Sequence, residues 1–130
     1  MRPKKSILLY CADPQLLSAT AFALRLHPYQ VSAFEDSIEA SQIVGNRSAA
    51  FACIVLIHAK LGDLAGRLIH RILECAPQVP LLLVDRAGDL APVRYVDVVL
   101  YGRNTTMDHV LASLHILCHR RPGLKARSAA

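Results

Sequence analysis

The run FACIVLI, residues 51–57, restricts the fold of this chain more than any other feature. Every side chain in it is apolar, so an extended strand made of it needs cover on both faces. A sheet with one wet face would alternate apolar and polar residues instead. The run therefore calls for a central strand of a parallel sheet with helices on both sides. Residues 7–11 (ILLYC) and 80–84 (PLLLV) repeat the demand, and residues 30–34 and 96–101 read as two further, more mixed strands.

Helical periodicity fills the intervals. Asp13 before Pro14 is a helix start, the carboxylate as N-cap and proline at the first helical position. Leu16, Leu17, Thr20, Ala21 and Leu24 then share one face, which ends near His27-Pro28. A polar helix is expected from about residue 37 to 44, closed by Gly45-Asn46. Leu64, Leu68, Ile69, Ile72 and Leu73 recur at 3.6-residue spacing. A last helix, capped by Asn104, packs through Met107, Val110, Leu111, Leu114 and Cys118 and stops before Pro122-Gly123. Strands alternating with helices imply βαβ units, hence a single α/β domain with a parallel sheet. One interval is unusual. Only 11 residues, 86–96, separate the last two strands, and Gly88 and Pro92 interrupt them. A full crossover helix barely fits there, so a single turn or an irregular loop is expected.

Charge and cysteine content narrow the function. The formal net charge of +5 is concentrated at the ends, where Arg2, Lys4, Lys5, Arg120, Arg121, Lys125 and Arg127 stand without a neighbouring acid. The body between them is slightly acidic, so nothing marks a nucleic-acid-binding face. The longest apolar runs are strand-length, short of a membrane span, and the N-terminus lacks the apolar stretch of a secretory signal. Cys11, Cys53, Cys75 and Cys118 lie far apart with no C-x-x-C pair, a spacing that fits reduced thiols in a cytoplasmic protein. No G-x-S-x-G elbow, phosphate-binding G-x-x-x-x-G-K-[ST] loop or G-x-G-x-x-G turn is present, and no enzymatic activity or cofactor is expected.

The strings SILLYCADPQLL, FACIVLIHAKLGDLAG, VPLLLVD and VVLYGRN, in this order and spacing, resemble the receiver domain of two-component response regulators. The resemblance spans about residues 5–120. It implies a flavodoxin-like three-layer sandwich whose five parallel strands run in the order 2-1-3-4-5, here with a shortened or irregular fourth crossover. It also implies two domain parts: a receiver-like body, residues 1–121, and a basic, flexible tail, residues 122–130.

The resemblance further locates a phosphorylation site. The two adjacent acids that hold Mg²⁺ in receivers fall on Cys11 and Ala12, with Asp13 one residue later at the helix cap. The phosphoacceptor aspartate, eight residues before the glycine of the third helix, falls on His58 when counted from Gly66. The Ser/Thr after strand four falls on Asp85, and the Lys-Pro after strand five on Tyr101-Gly102. Aspartyl phosphorylation needs a carboxylate nucleophile and a hard cation held by oxygens. Cys11 and Ala12 offer neither, so the pocket Cys11, Ala12, Asp13, His58, Asp85 and Tyr101 reads as a degenerate one.

The implied role is a phosphorylation-independent interaction module in bacterial phosphorelay signalling. Its partners would be a histidine kinase, an output domain or another regulator, with a homodimer also expected. Leu90, Val93, Tyr95, Val98, Leu111 and Leu114 are the candidate contact face. No metal is expected, although imidazole, thiolate and carboxylate all ligate zinc, which leaves a metal or thiol-redox sensor built on Cys11, His58 and Asp85 as the alternative. His58 could also accept phosphate on a ring nitrogen, or could simply hydrogen-bond Asp85. His115 and His119, spaced i, i+4, form a further pair able in principle to take a divalent ion.

Overall fold

A computed structural model describes residues 4–47, 50–58, 65–86, 96–102 and 105–119. The elements follow in the order β1 (Lys5–Cys11), α1 (Pro14–Arg25), β2 (Tyr29–Phe34), α2 (Ser37–Arg47), β3 (Cys53–His58), α3 (Ala65–Cys75), β4 (Leu81–Asp85), β5 (Val98–Tyr101) and α4 (Met107–Cys118). All strands are parallel and lie in the order β2-β1-β3-β4-β5.

The apolar runs have the cover they require. Residues Ile7 to Cys11 and all of β3 and β4 are buried, whereas β2 and β5 at the edges are only partly so. The pleat divides the core into two layers. Ile7, Leu9, Cys11, Val55, Ile57, Leu82 and Val84 pack against Leu17, Ala21 and Leu24 of α1 and Val110, Leu114 and Leu117 of α4. Leu8, Tyr10, Ile54, Leu56, Leu81 and Leu83 pack on the other side against Ala40 and Val44 of α2 and Leu68, Ile69 and Ile72 of α3. The three-layer sandwich follows from the two-faced strands.

The helix starts confirm one reading and revise another. The Asp13 carboxylate accepts hydrogen bonds from the amides of Gln15 and Leu16, at 3.0 and 3.3 Å, with Pro14 following it. At α4 the cap is Thr106 and not Asn104, which lies outside the described residues. The Thr106 hydroxyl accepts from the His109 amide while His109 Nδ1 accepts from the Thr106 amide, a reciprocal pair that satisfies two orphan donors at once. The polar helix also runs further than Gly45-Asn46, to Arg47. Gly45 therefore lies inside the helix and does not end it. A Cβ there would stand 3.2 Å from Nη2 of Arg71, which reaches across from α3.

Strand β5 begins at Val98 and not at Val96 because of Asp97. Its carboxylate accepts from the Leu81 amide at 2.8 Å, and its own amide donates to the Leu81 carbonyl at 3.1 Å. A side chain thus occupies the first ladder position of the β4–β5 pair. The short fourth crossover, the tail 122–130 and the contact-face residues Leu90, Val93 and Tyr95 lie outside the described residues. Among those described, no helix is long and apolar enough to cross a membrane.

Candidate functional site

Parallel α/β sheets open their ligand crevice at the carboxyl ends of the strands. Here that edge carries Cys11-Ala12-Asp13 after β1, His58 at the end of β3, Asp85 at the end of β4 and Tyr101-Gly102 at the end of β5. The register brings Cys11 beside Ile57, His58 beside Asp85, and Asp85 beside Tyr101. The backbone joins these ends firmly. The Arg86 amide donates to the His58 carbonyl and the Gly102 amide to the Asp85 carbonyl, each at 2.9 Å. Gly102 takes φ +86°, a left-handed conformation in which glycine carries no steric cost.

The side chains do not form the cluster that the sequence suggested. His58 and Asp85 are nearly and fully buried, at 2% and 0% exposure. They continue the series Ile54, Leu56 and Leu81, Leu83, so both belong to the α2/α3 layer. Cys11 continues Ile7 and Leu9 into the α1/α4 layer and packs there as an apolar residue. A site made of Cys11, His58 and Asp85 is therefore excluded by strand parity: two of its members lie on one face of the sheet and the third on the other. Among the described residues no three His, Cys, Asp or Glu side chains are grouped to hold a metal ion. His119 is likewise engaged locally, its Nδ1 2.7 Å from the His115 carbonyl oxygen.

The donor set does not fit the Mg²⁺ ion that the resemblance implies. Mg²⁺ takes oxygen ligands in near-octahedral geometry. Cys11 is a thiol turned into the opposite layer, Ala12 has no donor, and the Asp13 carboxylate is engaged by two α1 amides. At this edge His58 and Asp85 are register neighbours, and both are sealed from solvent.

The contact face also changes. Leu114 is fully buried among the residues of the α1/α4 layer, so it serves the core and cannot be a partner contact in the folded chain. The spacing that put it on a helical face was right, but an apolar face of α4 turns to the sheet first. Leu111 and Val98 pack only partly against the same layer and keep a surface to offer. Asp97 and Thr106 escaped notice in the sequence. The signals were an acid inside an apolar strand and a Thr-Thr pair one residue before the periodic run.

Burial fixes the chemistry of Cys118. Its thiol is pushed up from 9.0 to about 11 by removal from water, with Lys5 opposing the shift. Burial raises Tyr29 as well, and the nearby Cys118 and Cys53 add to it. A group raised on folding holds its stabilising contribution below its unfolded value and loses it as the pH climbs through the folded one. Resistance to urea is therefore expected to stay level below pH 9 and to fall between about pH 9 and 11. At neutral pH a thiol-specific alkylating reagent should label the half-buried Cys75 far ahead of Cys118. Rapid labelling of Cys118 in the folded chain would contradict this.

No protein-family model matches the chain, and no curated protein does. Solved structures do. A response regulator receiver domain protein from Clostridium thermocellum superposes with a TM-score of 0.76 at 14% identity, over 89% of this chain and 95% of that one. The receiver domain of a sensor histidine kinase from Pseudomonas aeruginosa PAO1, with magnesium coordinated in its active site cleft, gives 0.74 at 15% identity, over 90% and 99%. A CheY-like receiver domain protein from Methanospirillum hungatei JF-1 gives 0.73 at 16%, over 96% and 98%. At such identities the likeness speaks for the backbone and its topology. Five parallel strands in the order 2-1-3-4-5, layered between α1/α4 and α2/α3, give this chain the flavodoxin-like fold of response regulator receiver domains.

Proposed function

We propose that the chain is a receiver-like regulatory module of two-component signalling that works by binding other proteins and does not depend on aspartyl phosphorylation. The observation that carries this reading is the content of the carboxyl edge. Where a phosphorylated receiver needs a solvent-facing carboxylate and acids for Mg²⁺, this chain has His58 and Asp85 sealed side by side, an alanine, and a cysteine turned away. A buried carboxylate beside the acceptor position also opposes the arrival of a phosphoryl group, because like charges in a low-dielectric site repel strongly.

With that chemistry gone, no enzymatic role and no cofactor are assigned, and the fold serves as a scaffold for recognition. The partners proposed are a histidine kinase, an output domain or another regulator, and a second copy of the chain. Val98 and Leu111 are the described members of the proposed contact face; its other members, Leu90, Val93 and Tyr95, lie outside the described residues. A cytoplasmic setting suits four cysteines that no disulfide joins.

Beryllofluoride with Mg²⁺ mimics a phosphoryl group on an aspartate and tests the reading on the intact chain. The amide NMR spectrum is expected to stay unchanged at residues 11–13, 58, 85 and 101–102. Saturable shifts at those positions that require both Mg²⁺ and beryllofluoride would overturn it.

A further inference from the structure

A cleft of about 250 Å³ opens between α1 and α4, on the face of the sheet away from His58 and Asp85. Its floor is apolar, formed by Ile57 and Val84 from the ends of β3 and β4 and by Met107 and Val110 from α4. Four polar side chains, Thr20, Arg86, Thr105 and Thr106, break that apolar lining. Thr20 comes from the buried face of α1 and is only 7% exposed. Arg86, the residue after β4, lines the cleft from the strand end. Among the described residues its guanidinium meets no carboxylate and no acidic side chain lines the cleft.

A concave apolar surface with a few convergent polar groups is the usual form of a small-molecule site. The polar groups here select the ligand's head. A guanidinium prefers a carboxylate, to which it can donate two parallel hydrogen bonds. The volume selects its body. An apolar cavity of about 150 Å³ admits benzene, so the larger cleft has room for one ring or a short branched chain together with a carboxylate.

We propose that this cleft binds a small monocarboxylic acid with an apolar body, of the size class of a substituted benzoate. Arg86 pairs with the carboxylate, the Thr20 hydroxyl supplies a hydrogen bond, and the apolar body rests on Ile57, Val84, Met107 and Val110. None of these residues belongs to the carboxyl-edge pocket, so the site stands whether or not the chain is ever phosphorylated. It would give a receiver fold a chemical input through α1 and α4.

Amide NMR of the full chain during titration with 4-methylbenzoate tests the site, with 4-methylbenzamide as the uncharged isostere. The expected result is saturable shifts clustered at residues 20, 84, 86 and 110, with the benzamide weaker by about tenfold or more. Arg86→Gln should weaken the acid by about tenfold, and the near-isosteric Thr20→Val by a few-fold. Ala19→Glu, at an exposed helix position on the wall of the cleft, should abolish binding by charge repulsion without touching Arg86. Absence of saturable shifts overturns the proposal. So do shifts that the benzamide reproduces with equal affinity or that survive both Arg86→Gln and Ala19→Glu, since the cleft would then hold only water or a nonspecific apolar additive.

Discussion

His58→Asp, the substitution that would put a carboxylate at the phosphoacceptor position, is expected to destabilise the chain by roughly 2–4 kcal/mol at pH 7 and to create no acceptor. The reason is Asp85. The two positions are paired neighbours at the ends of β3 and β4, and both are sealed from water. Two carboxylates there would share one dry site, where like charges repel strongly. The loss should shrink as the pH is lowered toward the carboxylate range, where one of the two can take a proton. It should also shrink when Asp85 is replaced, so that His58→Asp combined with Asp85→Thr is more stable than His58→Asp alone. Urea denaturation of the single and double variants measures this coupling directly. Additive effects of the two substitutions would mean that the side chains do not interact, and the account of the sealed pair would fail.

Leu114→Ala is expected to cost about 3–5 kcal/mol, against roughly 1 kcal/mol for Leu111→Ala. Leu114 is fully enclosed between α4 and the sheet, where truncation leaves a cavity that neighbouring side chains fill only in part. Leu111 lies three residues before it on the same helix and is only partly buried. With a typical domain stability of about 5–15 kcal/mol, the first substitution removes a large share of the total. Denaturant midpoints of the two variants separate the roles. Comparable small losses would return Leu114 to the surface and undo the division of α4 into a buried face and a partly exposed one.

Much of the architecture was legible because it depends on patterns that burial enforces. FACIVLI and its companion runs had to become central parallel strands, since no other arrangement hides both faces of each. Asp13-Pro14 had to start a helix, since the pair satisfies and pre-shapes its first turn. The errors arose where a single side chain outweighed the local pattern. Asp97 shortens β5 by binding a backbone amide, Thr106 displaces Asn104 as cap through its exchange with His109, and Gly45 continues a helix beside Arg71 of α3. None of these partners is adjacent to the residue in question, apart from the i, i+3 pair of Thr106 and His109. The candidate site was legible as a set of positions but not as a cluster. His58 and Asp85 do share a face, while Cys11 sits one residue out of phase, and in a strand one residue is the opposite side of the sheet. Thr20 was already placed on a buried helical face. Its polarity there, amid leucines and alanines, was the one sequence trace of the cleft between α1 and α4.

Intact mass spectrometry of the chain after incubation with acetyl phosphate and Mg²⁺ tests the central claim most directly. No mass gain is expected, because the acceptor position carries a buried histidine and the metal positions carry no usable oxygen donors. A gain of one phosphoryl group would contradict the account. Its lability would identify the acceptor: an acid-labile, base-stable adduct marks a phosphohistidine, and a base-labile one marks an acyl phosphate on a carboxylate.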